Sequence, residues 1–325
     1  MTEPLLRIEA LRIAVRNSER SVEILRGVSL DLARGEVLCL LGESGSGKSV
    51  TLRSVLRLLP DKGTMISGRI AFEAEDLLEL PMSALTALRG RRIAMIFQEP
   101  ATALDPVYTV GRQIVETIRR HEGVSNAEAT GRARELLERV QIPLAERRLL
   151  AYPHELSGGM RQRAMIALAL ACRPALLLAD EPTTALDTTV QIQILLLLRR
   201  LQRELGLSII FVTHDIGVAS EIADRVAIMY AGRIVESGPV RDVLRRPGHP
   251  YTEALLASTL RRGERGHRRP AIPGAPPDPA ELPGGCAFAP RCGRAEAACS
   301  EGMPPLVLSA PDHCILCRRP VNLGA

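Results

Sequence analysis

Hydrophobic residues alternate along the first 35 positions: Leu6 and Ile8, then Leu11, Ile13 and Val15, then Val28, Leu30 and Leu32. Period-two spacing predicts short strands with one buried face. Arg34-Gly35 reads as a turn, and Val37-Leu38-Cys39-Leu40-Leu41 is apolar throughout, as in a strand buried on both faces. Val50 to Leu59 has helical spacing and is closed by Pro60. Gly68 to Phe72 and Arg92 to Phe97 are further strand candidates. From about Pro100 the texture becomes helical: Val110 to Arg120, Ser125 to Val140 with Ser125 as N-cap, and Met160 to Cys172. Strands and helices alternate again through Ala175 to Ala179, helix Val190 to Leu205, strand Ser208 to Val212, and strands near Val226 to Met229 and Ile234 to Val235. The expectation is an α/β fold with a parallel-sheet core, interrupted by a helical subdomain over about residues 100–172.

From about Pro247 the composition shifts, so the domains are read as 1–246 and 247–325. Arg261 to Pro270 is rich in Arg and Gly, and Ala271 to Gly285 is rich in Pro. Five of the seven cysteines fall between Cys286 and Cys317. This tail reads as a separate appendage without periodicity of its own. Arg261 to Arg269 is expected to be a solvated linker, with contact to anionic lipid headgroups as the alternative.

Composition narrows the class. The chain has 325 residues, 46% of them hydrophobic, which is ample for a core. Net charge is +5, and there are four Tyr, four Phe and no Trp, so a base-stacking platform and a nucleic-acid partner are not expected. Leu195-Leu196-Leu197-Leu198 is flanked by Gln191, Gln193, Arg199 and Arg200, which fits a soluble helix rather than a membrane span. Glu3, Arg7, Glu9 and Arg12 interrupt any secretory signal pattern. A cytoplasmic chain is expected, with its cysteines reduced or metal-bound. Cys39 and Cys172 lie in apolar runs and read as core residues.

Only two of the 42 basic residues are lysines, and one closes the run Gly42-Glu43-Ser44-Gly45-Ser46-Gly47-Lys48-Ser49. The run fits G-x-x-x-x-G-K-[ST] between a buried strand and a helix, the context of a phosphate-binding loop. A compact ammonium reaches between the β- and γ-phosphates where a planar guanidinium would not, and the Ser49 hydroxyl would ligate Mg²⁺. The apolar run Leu176 to Ala179 ends in Asp180-Glu181. Asp180 is placed to hold the Mg²⁺ hydration shell and Glu181 to polarise the attacking water. Ser157-Gly158-Gly159 opens a helix and forms a second anion cradle. His214 ends the strand through Phe211-Val212-Thr213 and is expected on the same sheet edge as Asp180. Gln98 ends the strand Arg92 to Phe97, where its amide would reach the metal or the water.

Together these residues resemble the ATPase subunit of ABC transporters over about residues 5–250. In that family's terms Gly42 to Ser49 is the Walker A loop, continued by Val50, Gln98 is the Q-loop and Leu156 to Met160 the signature. Leu177 to Asp180 matches Walker B, Glu181 the catalytic glutamate, Ala185-Leu186-Asp187 the D-loop and His214 the switch histidine. The resemblance implies two ATP molecules sandwiched between two such domains, with Ser157, Gly158 and Gly159 gripping the γ-phosphate bound by the partner's Walker lysine. It implies a second ATPase subunit, the same or similar, two membrane permease subunits engaged through Gln98 and the helical subdomain, and an indirect link to an extracytoplasmic solute-binding protein. The chain is then expected peripherally on the cytoplasmic face of the cell membrane. Met160 replaces the commoner Gln of the signature. Val15, with Arg16 nearby, stands where the family stacks an aromatic on adenine, which implies looser preference for ATP over other nucleotides.

A closer resemblance rests on Ile96-Phe97-Gln98-Glu99-Pro100, Tyr152 to Arg163 and His249-Pro250-Tyr251-Thr252. These segments are similar to the oligopeptide/dipeptide importer ATPases, a branch that includes nickel importers. Leu282 to Cys286 and Phe288-Ala289-Pro290-Arg291-Cys292 are similar to that branch's C-terminal extension. Some members hold a [4Fe–4S] cluster, which implies Cys286, Cys292, Cys299 and Cys317 as ligands, with Cys314 as the alternative fourth. Zn²⁺ or unligated thiols are the other readings of these cysteines. A soluble ABC ATPase acting on nucleic acid or ribosomes, and an iron–sulfur redox sensor, are the rival functions.

Overall fold

The computed structural model describes residues 3–16, 20–98, 103–184, 186–258 and 272–322. The basic stretch Arg261 to Arg269, Glu99, Pro100 and Ala185 therefore lie outside the described residues. In chain order the first elements are β1 (Leu6–Arg16), β2 (Ser21–Leu32), β3 (Val37–Leu41), α1 (Lys48–Val55), β4 (Thr64–Phe72), β5 (Glu75–Asp76), α2 (Met82–Leu88) and β6 (Ile93–Ile96). There follow α3 (Val110–Glu122), α4 (Asn126–Arg139), α5 (Ala145–Leu149), α6 (Gly158–Ala169), β7 (Leu176–Asp180), α7 (Thr188–Leu205) and β8 (Ser208–Thr213). The last are α8 (Ile216–Ile222), β9 (Arg225–Tyr230), β10 (Arg233–Pro239), α9 (Val240–Arg245), α10 (Pro250–Ser258), α11 (Ala297–Glu301), β11 (Leu306–Ala310) and β12 (His313–Leu316).

The chain divides into two compact units. One comprises residues 1–32, 37–78 and 212–325, the other residues 33–36 and 79–211. In the first, β2, β1, β4 and β5 form an antiparallel sheet in that order. The alternation of Leu6 and Ile8 changes phase at Leu11 because one long strand is bulged, where the sequence suggests two short ones. Glu9 pairs with Arg69 and Arg12 with Ser67, so Ala10 and Leu11 oppose the single residue Gly68. Ala10 takes φ +47. A Cβ at Gly68, itself at φ +101, would lie 2.7 Å from the carbonyl oxygens of both Glu9 and Ala10.

The same unit holds β3 parallel to β9, with β10, β12 and β11 added in turn antiparallel. Helix α1 stops before Leu56, short of the Leu59 expected, where Arg57 turns to φ +49. The tail is not an independent appendage. Its strand β12 joins the sheet through Glu236 opposite Ile315 and Ser237 opposite Cys314. The buried Glu236 carboxylate accepts from the backbone N–H groups of Gly248 at 2.7 Å and His249 at 2.9 Å, and meets His313 Nε2 at 2.8 Å. A carboxylate taken out of water is tolerated only when its lone pairs are filled in this way.

In the second unit β6 and β7 run parallel, with β8 beyond β7. All five residues of β7 are buried, as its apolar run requires. Helices α3 to α6 form the helical region expected from the sequence. The Ser125 side chain caps α4 by accepting from the N–H of Glu128. Arg132 of α4 pairs with Glu122 at the end of α3, one contact being 2.8 Å.

Candidate nucleotide site

The phosphate loop belongs to the first unit and shows why glycine is required. Gly42 has φ +154, and a Cβ there would sit 2.2 Å from the carbonyl oxygen of Met229. Gly47 has φ +104, and its Cβ would lie 2.6 Å from Leu25 Cδ2. Gly47 is also the N-cap of α1, which therefore presents its positive dipole end without a capping side chain. Lys48 is 5% exposed, and its ammonium donates to the carbonyl oxygens of Gly42 at 2.8 Å and Glu43 at 2.9 Å. Ser44 and Gly45 are exposed at the loop tip, Ser46 is buried, and Ser49 and Val50 are half-buried on α1.

The acidic residues belong to the second unit. Pairing of Ile96 with Ala179 brings the ends of β6 and β7 side by side. Gln98 and Glu181, just beyond those ends, meet in a 3.2 Å hydrogen bond from the Gln98 amide to Glu181 Oε2. The Thr184 hydroxyl donates to the same oxygen at 2.9 Å. Glu181 takes φ +45, a left-handed backbone that a non-glycine residue holds only under constraint. Asp180 is fully buried at the end of β7.

Ser157 caps α6 by accepting from the N–H of Met160 at 3.3 Å, and Gly158 and Gly159 form its first turn. A Cβ on Gly159 would lie 2.9 Å from Val190 Cγ1, so the α6 backbone packs there directly against the Val190 side chain of α7. Asp187 caps α7 through the N–H of Val190 at 3.0 Å. His214 is exposed just past β8. Val15 is 37% exposed near the end of β1.

Cys286, Cys292, Cys299 and Cys317 line one cavity, together with His249 and Arg294. Cys314 lines a different one. The N–H of Cys286 donates to the carbonyl of Cys299 at 2.8 Å, which closes the loop between them. Burial pushes the Cys286 and Cys292 thiols up, and that of Cys317 up to about 11. Among the described residues no group of three or more His, Cys, Asp or Glu side chains is placed to hold a single metal ion. Cys39 and Cys172 are buried, as expected of core residues.

Sequence reasoning missed four residues that hold these groups. Thr184 supports Glu181, and Tyr230, Tyr251 and Arg291 support the phosphate loop. Tyr251 and Arg291 reach Glu43 from far along the chain, Arg291 lying 248 positions away, whereas Thr184 lies three residues from Glu181. The segments that carry the family resemblance contain Tyr251 and Arg291 but do not disclose their contact with the phosphate loop.

Residues 25–184 match the ABC transporter family, and residues 235–299 match the C-terminal region of oligopeptide/dipeptide transporters. A protein of Brucella abortus named for peptide import and ATP binding is 51% identical, over 99% of both chains. A protein of Sinorhizobium fredii named for peptide ABC transport and ATP binding is 50% identical, over 97% of this chain and 95% of its own. Among solved structures, an ATP-binding cassette captured as a post-hydrolysis dimer with ADP and phosphate is 30% identical, with a TM-score of 0.65, over 73% of this chain and 99% of that one. CbiO1 of Clostridium perfringens, part of an ABC transporter complex, is 29% identical with a TM-score of 0.64, over 75% of this chain and 92% of its own. The chain belongs to the ABC transporter family of ATP-binding proteins and is an ATPase of that class. Within it, the chain carries the C-terminal region of the oligopeptide/dipeptide branch.

Proposed function

We propose that this ATPase powers the import of di- or oligopeptides through a membrane permease. The names of its full-length relatives and the match of its C-terminal region support this reading. The observation that carries the catalytic part is the support of Glu181 by Gln98 and Thr184, beside the buried Asp180. Residues 42–50 take the triphosphate, with Lys48 turning from its loop carbonyls to the β- and γ-phosphates. Ser49, Asp180 and Gln98 hold Mg²⁺ or its waters. Glu181 takes a proton from the attacking water, and His214 contacts the γ-phosphate. Ser157, Gly158, Gly159 and Asp187 act on the nucleotide of a second ATPase subunit. Residues 1–246 serve as the nucleotide-binding domain, with a helical subdomain over about 100–172 that receives two permease subunits, and 247–325 as the extension. The protein sits peripherally at the inner face of the cell membrane. No described helix is long and apolar enough to cross it.

Glu181→Gln should bind ATP, trap a closed dimer and lose hydrolysis by roughly 10²–10⁴-fold, the usual contribution of a positioned general base. Turnover near that of wild type would overturn the assignment. Uptake of labelled peptides, against Ni²⁺ as the competing cargo, by cells with and without the chain tests the transport reading.

The cysteine cavity supports a second cofactor. Four cysteines are the donor set of a [4Fe–4S] cluster. A single tetrahedral Zn²⁺, with Zn–S bonds of about 2.3 Å, would require the four sulfurs to converge on one point. Arg294, Arg318 and Arg319 line the same cavity, a basic surrounding that suits an anionic guest. Cys286, Cys292, Cys299 and Cys317 would hold the cluster, which when bound would supply a redox-active or purely structural centre. Iron and acid-labile sulfide near four each per protomer, after purification without oxygen, is the expected result. Zinc alone, or no metal, would overturn it.

A further inference from the structure

The phosphate loop is gripped at one residue from the far end of the chain. Glu43 is fixed at three points. Its carbonyl accepts from the Lys48 ammonium at 2.9 Å, and its backbone N–H donates to the Tyr251 hydroxyl at 2.9 Å. Its carboxylate receives both arms of the Arg291 guanidinium, at 2.7 and 3.1 Å. Two of the three anchors come from the C-terminal part of the chain. Arg291 is itself rigidly held, with a side chain only 5% exposed. Its Nε donates to the Pro273 carbonyl at 2.8 Å, and one arm also reaches the Tyr230 hydroxyl at 3.2 Å. Behind it, Phe288 packs against Tyr230 and Tyr251 with ring centroids 5.3 and 5.4 Å apart. Arg291 ends a short 3₁₀ turn, Ala289–Arg291, and the next residue is Cys292 of the cysteine cavity.

A bidentate guanidinium–carboxylate pair, largely out of water, fixes direction as well as distance. A staple that merely fastened the tail to the sheet would need no particular partner. This one closes on the residue whose carbonyl accepts from the phosphate-binding lysine. A shift of Glu43 would change where Lys48 rests and how the loop's backbone faces the phosphates.

We propose that Arg291 is a positioning residue for ATP, acting through Glu43, and that it links the cysteine-bearing turn to the nucleotide site. The inference rests on residues 42–49 being the triphosphate loop. Because coupling between sites is reciprocal, nucleotide binding tightens the turn to the same degree that an ordered turn tightens nucleotide binding.

The test is a double-mutant cycle on the full-length chain, with a fluorescent ATP analogue and Mg²⁺ as the probe. Arg291→Gln and Glu43→Gln should each weaken binding about tenfold, and the double variant also about tenfold rather than a hundredfold, because contacting residues do not add. For Arg291→Gln, KM for ATP should rise while kcat stays within about twofold, since the lost contact serves binding and not chemistry. Arg291→Lys, which keeps the charge but not the fork, should recover only part of the loss. Affinity of Arg291→Gln within twofold of wild type, or effects that multiply in the double variant, would overturn the inference. Should Arg291→Gln melt early, Glu43→Gln alone decides: unchanged affinity sinks the proposal. Lys48→Ala separates the two readings. Retained binding there would refute the phosphate loop itself, whereas lost binding there with normal Arg291→Gln would refute only the positioning role.

Discussion

The chain starts two helices with glycine-rich runs, α1 after Gly42 to Gly47 and α6 after Ser157, and the two are built differently. At α1 the N-cap is a left-handed glycine with no capping side chain, and the loop is locked by close packing against Met229 and Leu25. At α6 the Ser157 hydroxyl already accepts from the N–H of Met160. The first is a cradle held open by glycine conformations and close packing. The second is a helix start that satisfies itself and must exchange that hydrogen bond for any anion it grips. A sequence motif for an anion cradle thus describes two different energetic situations. One is open to an anion as it stands, and the other must give up its own cap to hold one.

Four changes sharpen this contrast, from the largest effect down. Lys48→Ala should weaken nucleotide binding about a hundredfold, equivalent to roughly 3 kcal/mol, the scale of a charge-assisted contact. Near-normal titration would mean that this loop is not the triphosphate site. Gly47→Ala forces an L-residue to φ +104 against Leu25, so a loss of about 2 kcal/mol and a lower melting temperature are expected. Equal stability would show that the loop tolerates a side chain at this position. Ser157→Ala removes only a cap, about 1 kcal/mol of stability. Its ATPase loss should exceed what that destabilisation explains, if the serine also serves a partner's nucleotide. The smallest effect concerns the scaffold behind α6. Hydrogen bonding from Arg132 holds the Glu122 carboxyl below the ordinary range. The native state therefore binds fewer protons than the unfolded chain, and this contribution is present above the unfolded pKa and lost as pH falls through the folded one. Discounted for partial exposure it is about 0.5 kcal/mol, and melting of Glu122→Gln should vary less steeply with acid pH than wild type.

Much of the architecture was legible. The buried runs at Val37 and Leu176 are strands, Ser125 is a cap, and the lysine after a glycine run opens α1. These features are local, encoded in period, composition and short motifs. What escaped is non-local. Leu306 and Leu308 are exposed, at 65% and 70%, so β11 is set by its pairing with β12 and not by a buried apolar face. Strand β12 is a strand because β10 pairs with it. The bulge at Ala10 shows in the sequence only as a phase slip that also fits two strands. Of the candidate site, the glycine-rich loop and the acidic pair stand out in the sequence, whereas the contacts of Thr184, Tyr251 and Arg291 do not, because each acts through a residue that carries the motif.

The role of Glu236 reaches beyond folding. The match to the transporter C-terminal region begins at residue 235, within β10. A recombination event or a chimera cut at that boundary would sever a strand and separate Glu236 from its own sheet neighbours. A shorter chain ending before Gly248 would leave a buried carboxylate stripped of three partners and an open strand edge. In this chain the tail and the sheet that holds the phosphate loop share strand pairs and one buried carboxylate, so removing either exposes the other.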